Sequence, residues 1–383
     1  MTYVPIEVKV LIMNAEIIYM FAFDIAQEAD LVKMEKLLSG SAELHKIGRL
    51  KDTPRHFPVY RPLSLQVQGV NIKGPSDPMQ LSASVKIFAI GAMSLKLRVP
   101  VSIEKISDLL PYRNLQLNDG SEMEQRVMET ARKVFSSIRD GLDTPVAELA
   151  PPEDFTVFCI SAPVTDTSGA KGEMDTESWL KKNALDVAGL LVGETDPSRL
   201  SSQEVEDVTR CWYSYYRRDL AVIDWDTALL IDIPEDYNDT LYVMEMANLQ
   251  LAELKVYDIY LDQILDKAYD EVERASKLKY WYSRQRMIRE LREVRMDLSK
   301  VTDEITNISK FFGEWHLARI YMGCATRFHL SEWENAVNQK LRALDSIYSI
   351  LQKDTFDWVM MVLEAAIVAL FIIDLIIIVF LGM

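Results

Sequence analysis

The chain has 383 residues, a formal net charge of −16 and 49% hydrophobic residues, so a sizeable core can be buried and wholesale disorder is excluded. The acidic balance argues against DNA binding and against broad affinity for anionic surfaces outside a segregated basic patch. Three cysteines (Cys159, Cys211 and Cys324), far apart and without a CxxC pair, suit reduced thiols in a cytoplasmic compartment rather than a disulfide framework.

The opening stretch, MTYVPIEVKVLIMNAEIIYMFAF, contains no Arg and carries acids early, unlike a secretory signal or a mitochondrial transit peptide. Lys9, Asn14 and Glu16 interrupt its apolar run, which reads as strands rather than a membrane span. Strand-like segments follow at Glu7–Leu11, Ile17–Phe23, Leu63–Val70, Ala83–Val101, Phe155–Ile160, Cys211–Tyr216 and Leu220–Ile233, rich in β-branched and aromatic residues. Helices are expected at Glu28–Leu38, Ser121–Ile138 and Glu177–Leu191, with Ser121 and Glu124 placed as a capping box. Linker-like stretches sit at Asp140–Asp154 and Ala162–Asp175. This mixture, without regular βαβ alternation, predicts an α+β domain over residues 1–233.

Chemistry-bearing motifs are few. The sequence holds no GxGxxG, Walker A or GxSxG motif, and its histidines (His45, His56, His316 and His329) form no HExxH or HxH. No metal or cofactor is expected, and no enzymatic activity. In IDWDTALLID, a strand would place Asp224, Asp226 and Asp232 on one face, opposite Ile223, Trp225, Leu229 and Ile231. That face is either solvated or the start of an acid–base or metal site, which would need a further group from the N-terminal half. Arg217, Arg218 and Asp219 read as a hairpin turn before it.

Between Pro234 and Gly313 there is no Gly or Pro. One apolar stripe runs Val243, Ala247, Gln250, Leu254, Tyr257, Leu261, Ile264, Ala268; a second runs Met287, Leu291, Val294, Leu298, Val301, Ile305, Ile308, Phe312. Both alternate four and three, the 3.5-residue period of coiled coils. Their phases disagree near Lys279–Gln285, which predicts a hairpin tip, one bent helix being the alternative. Ten acids in Asp236–Glu273 face nine bases in Arg274–Lys300, a pattern that favours pairing the two arms. Val294, Leu298, Val301 and Ile305 would carry this packing. The basic, aromatic segment 277–295, with Lys279, Trp281, Arg284, Arg286 and Arg289, either faces the acidic arm or contacts a partner such as the ribosome. A third stripe, Trp333, Val337, Leu341, Leu344, Tyr348 and Leu351, should end at a short break over Asp354–Asp357.

From Val359 to Leu381 the only charges are Glu364 and Asp374. At about 1.5 Å per residue this run reaches ~35 Å, enough for a hydrocarbon core of roughly 30 Å. It predicts a transmembrane tail anchor over residues 358–383, with the preceding bulk in the cytoplasm because Lys340, Arg342 and Lys353 flank it. Each carboxylate costs about 2.5–3.5 kcal/mol mid-membrane, so either the two make a polar contact between the tail helices of an oligomer, or Glu364 snorkels to the interface and Asp374 is protonated.

The runs RRDLAVIDWDTALLID, ANLQLAELKVYDIYLDQILDKAYDEVE and FHLSEWENAVNQKLRALDSIYSIL, before an apolar span, resemble the "required for meiotic nuclear division" family, a domain of unknown function. The resemblance covers Tyr213–Leu375; VKIFAIGAMSLKLRVPV departs from the apolar, Gly- and Trp-containing strand of that family. It implies a membrane-attached, self-associating, non-enzymatic protein, with Glu364 matching an acid of the family's tail helix. Taken together, the expectation is an α+β domain (1–233), a helical coiled-coil hairpin region (234–357) and one C-terminal transmembrane helix. Such a chain would act as a homo-oligomeric membrane scaffold in contact with lipid, or as an adaptor tethering a cytoplasmic assembly.

Overall fold

The computed structural model describes residues 13–38, 42–44, 62–73, 78–113, 115, 122–161, 175–233, 237–274, 296 and 315–381. The expected strand at Glu7–Leu11, the second heptad stripe and the hairpin tip lie outside these residues. The chain divides into two compact units, Met1–Val256 with Lys300–Trp333, and Tyr257–Ser299 with Glu334–Met383.

The first unit is an α+β domain around one large sheet. Its strands are β1 (Met13–Asp24), β3 (Ala42–Leu44), β4 (Leu63–Lys73), β5 (Pro78–Ile87), β6 (Ala92–Ile103), β8 (Glu153–Ser161), β9 (Trp212–Tyr213), β10 (Leu220–Ile223) and β11 (Thr227–Asp232). Among the described residues their order is β3-β4-β5-β6-β1-β8-β11-β10-β9, and β2 (Ala26–Ala29) pairs separately with β7 (Leu142–Pro145). All neighbours are antiparallel except β8 and β11. A parallel pair needs a long crossover, and here it contains α3 (Thr176–Val192) and α4 (Ser202–Arg210).

Side-chain alternation decides what each face carries. In β6, Met93, Leu95, Leu97 and Val99 join Ile17, Tyr19, Phe21, Phe158 and Leu229 in one core with Val127, Ala131 and Ile138 of α2 (Met123–Ile138) and Val187 and Leu190 of α3. Each such aliphatic side chain contributes on the order of 1.5–3 kcal/mol by burial. The opposite face, with Ile18, Met20, Val157, Cys159, Ala228 and Leu230, is also buried. It is tied to α5 (Tyr237–Arg274) by Asn248 donating to the Glu153 carbonyl at 3.0 Å, and by Lys255 pairing with the Glu153 carboxylate at 2.6 Å.

Several expected boundaries move. The segment Ala83–Val101 is two strands, because Phe88–Gly91 turns the chain back and Gly91 adopts φ +82. The helix expected from Glu28 is shorter: α1 spans Leu31–Leu37, capped by Asp30 accepting from the Lys33 N–H, while Glu28 lies in β2. Asp140–Asp154 is no bare linker, since it supplies β7. At α2 the N-cap is Glu122, which makes no side-chain capping bond; Ser121 lies outside the described residues.

In the second unit, the stripe of α5 continues with Leu261, Ile264 and Ala268, all buried, as are Val337, Leu341 and Leu344 of α7 (Leu330–Leu381). Lys340 of α7 bridges Asp258 and Asp262 of α5 at 2.6 and 2.7 Å. Acids of α5 thus find a base on α7. The break expected at Asp354–Asp357 is absent: α7 is one 52-residue helix, since no Gly or Pro interrupts Leu330–Leu381. Its stretch Met360–Val379 is long and apolar enough to cross a membrane, and none of its residues is buried.

Candidate functional site

The alternation that sends Leu95, Leu97 and Val99 of β6 into the core sends Ser94, Lys96 and Arg98 to the other face. Lys86 of β5 joins them diagonally, Lys86 pairing with Ser94 and Ser84 with Lys96. Here α5 inserts Glu245, whose Oε2 accepts from Lys86 Nζ at 2.9 Å and pairs with Lys96 Nζ at 2.7 Å. All three side chains are almost wholly buried. Lys86 also sits 5.2 Å from the ring centroid of Tyr242, one turn earlier on α5. Beside this cluster, Arg98 bridges Glu16 of β1 at 3.3 Å and Asn238 at 3.2 Å.

Two lysines therefore share one carboxylate oxygen, and the other, Oε1, has no hydrogen-bond partner among the described residues. Burial pulls the Lys96 pKa down to about 7 against the opposing pull of Glu245. Burial alone would raise the Glu245 pKa, yet Lys86 and Lys96 outweigh it and hold it at about 2. The cluster is a closed ion triad that registers α5 on the sheet. Chemically, it offers an ammonium group that can change charge near neutrality.

At the opposite edge of the sheet, two loops are held by groups the sequence reading did not pair. Asp224, Trp225 and Asp226 form the turn between β10 and β11 rather than one strand with Asp232. Asp226 is paired by Arg113 at 2.8 Å, and Asp224 by Arg327 at 3.5 Å. Arg327, at the end of α6 (Trp315–Arg327), also donates to the Ile223 carbonyl and reaches Asp207 of α4. Burial raises both aspartate pKa values despite these arginines. The group from the N-terminal half that meets Asp226 is thus a guanidinium. Trp225, expected inside, is 65% exposed at the tip of the turn.

The second loop joins β9 to β10, and its hinge is the buried Asp219. Its carboxylate accepts from the backbone N–H groups of Tyr215 and Tyr216, while its carbonyl accepts from Thr176 Oγ1 at 2.7 Å. His316 of α6 lies 3.5 Å from the same carboxylate and 5.6 Å, ring to ring, from Tyr215. Gly323 lets α6 approach β9, since a Cβ there would run into the Tyr213 ring. Cys211 sits 3.9 Å from the Gly323 carbonyl; burial raises its pKa and that of Cys324. The three cysteines are free thiols.

Of the residues singled out from the sequence, Val294, Leu298, Val301, Ile305, Lys279, Trp281, Arg284, Arg286 and Arg289 lie outside the described residues. Glu364 and Asp374 both lie on α7, exposed within its apolar stretch. No group of three or more His, Cys, Asp or Glu side chains able to hold a metal occurs among the described residues. Sequence reasoning missed Lys86, Lys96, Glu245 and Arg113; it placed Asp219 in the turn before β10, where it lies, but not its hold on the loop backbone. The polar alternates were a visible signal for Lys86 in SVKIF and for Lys96 in SLKLR, and a lone Glu in the apolar run VMEMA for Glu245.

No solved structure matches the chain. A curated protein, "Uncharacterized protein MJ0711" of Methanocaldococcus jannaschii, is 23% identical over 224 residues, covering 58% of this chain and 65% of that protein. The chain thus spans less than two thirds of the length of the curated relative it matches. The matched residues 14–237 take in the described strands of the sheet, from the second residue of β1 onward, and end where α5 begins. By that match the chain belongs to the family described as "Uncharacterized protein MJ0711, N-terminal domain".

Proposed function

We propose that the protein is a membrane-anchored, non-catalytic scaffold that self-associates and displays its α+β unit on the cytoplasmic side. The observation that carries this reading is the exposed apolar stretch Met360–Val379, continuous in one helix with the heptad segment that begins at Trp333. An apolar helix of this length is stable in hydrocarbon and costly in water. Glu364 and Asp374 favour self-association, because carboxyl groups in a membrane are retained where a neighbouring helix supplies a polar contact. The charged groups of the α+β unit described above are engaged in holding its elements together, which agrees with a displayed domain better than with a catalytic one. The resemblance to the "required for meiotic nuclear division" family points the same way, and it rests on Tyr213–Leu375, mostly beyond the residues matched by the archaeal family.

The test is crosslinking of the full-length protein in native membranes, followed by mass measurement of the species after solubilisation. Species at multiples of 43.9 kDa are expected. Recovery of the monomer alone, or of protein extracted from membranes by alkaline wash, would remove the proposal.

A further inference from the structure

The loop between β9 and β10 and one side of α6 together carry an unusual set of exposed groups. Tyr215, Tyr216 and Trp315 are 62%, 71% and 77% exposed. Arg217 and Arg218 are exposed beside the tyrosines, and Arg319 and Met322 follow Trp315 at four- and three-residue steps, on the same helix side. The ring contact between Tyr215 and His316 joins the loop to the start of α6.

These side chains are displayed on a prepared base. Asp219 holds the backbone of Tyr215 and Tyr216, the Arg217 carbonyl accepts from the Thr176 N–H at 3.0 Å, and Arg319 lies over the Tyr213 ring at 5.4 Å. Asp219, within the loop, is buried, while Asp175 at the start of α3 lies within electrostatic reach of Arg217. Three guanidiniums with two tyrosines and a tryptophan stand out on a chain of net charge −16.

We infer that this patch, Tyr215, Tyr216, Arg217, Arg218, Trp315 and Arg319, is a contact site for an anionic phospholipid surface. Tyrosine and tryptophan rings favour the headgroup level of a bilayer, and arginines add attraction to anionic headgroups within a Debye length. The inference rests on the reading that Met360–Val379 holds the chain at a membrane, which makes a lipid surface the anion source always at hand. An RNA strand would offer the same phosphate chemistry and is treated as a competing outcome.

The test uses full-length protein reconstituted into vesicles of phosphatidylcholine alone or with about 30% phosphatidylglycerol, with trypsin added outside. Cleavage at Arg217 and Arg218 of outward-facing molecules is compared with cleavage at Lys181, an exposed site on α3 of the same unit. The expected result is cleavage at the arginines slowed roughly tenfold by the anionic lipid, reversed by about 1 M salt, with Lys181 unaffected. The Tyr216→Ser/Trp315→Ser variant should lose that lipid dependence while remaining folded by circular dichroism. Equal cleavage in both lipids overturns the inference and leaves the membrane reading standing. Failure of the protein to float with either vesicle overturns both. Protection by single-stranded RNA but not by anionic lipid also overturns it.

Discussion

Glu245 stands between two buried lysines, so its removal and theirs have opposite consequences. Glu245→Gln leaves Lys86 and Lys96 without a counter-charge and should destabilise the α+β unit by about 3–5 kcal/mol in denaturant unfolding. Lys96→Met leaves a one-to-one pair of Lys86 and Glu245, and stability should stay within about 1 kcal/mol of the parent or rise. Their pH signatures differ in sign. Glu245, lowered from 4.5 to about 2, contributes stability that is complete above pH 4.5 and lost as pH falls towards 2. Lys96 is lowered from 10.5 to about 7, so between these values the unfolded chain holds the extra proton and stability rises with pH. That rise should vanish in Lys96→Met; its persistence would assign the effect to another group. The two lysines could be read from β5 and β6 as polar alternates, but their common partner is 149 residues beyond Lys96 at Glu245. Alternation gives the face of a strand, not what covers it, so the triad was legible as polarity and not as a site.

At the scale of elements, two glycines hold contacts that any side chain would break. Gly91 turns β5 into β6 with φ +82, and a Cβ there would enter the Ala26 carbonyl. Gly91→Ala should therefore lower the midpoint of thermal unfolding by several degrees or prevent folding, through strain and the lost junction with β2. Gly323→Ala would push α6 from β9 through the Tyr213 ring. Its expected sign is faster hydrogen exchange across β9 and α6, with the β1–β6 pair unchanged; uniform acceleration would mean that α6 is integral to the whole sheet's stability. The strands with strong alternation or β-branched runs were legible, and so were the buried stripes of α5 and α7. The turn at Asp224–Asp226 was not, because IDWDTALLID alternates through it while Arg113 and Arg327, remote in sequence, hold it as a turn. The missing break in α7 has a similar origin. Asp354 and Asp357 are polar, but neither is Gly or Pro, and nothing there stops the backbone.

At the scale of the whole molecule, the sheet and its two covered faces form one unit, and the long helix from Glu334 onward, with its apolar stretch, belongs to the other. Self-association through that stretch is the central claim, and Glu364 and Asp374 are the residues on which it turns. Leucine at both positions keeps the length and apolar character of the span while removing the polar contact. The most direct measurement is the native mass of the full-length protein in lipid nanodiscs, compared with Glu364→Leu/Asp374→Leu. The expected result is a multiple of 43.9 kDa for the parent and a shift towards the single chain for the variant. A parent protein found only as a 43.9 kDa chain across the accessible concentration range would contradict the claim.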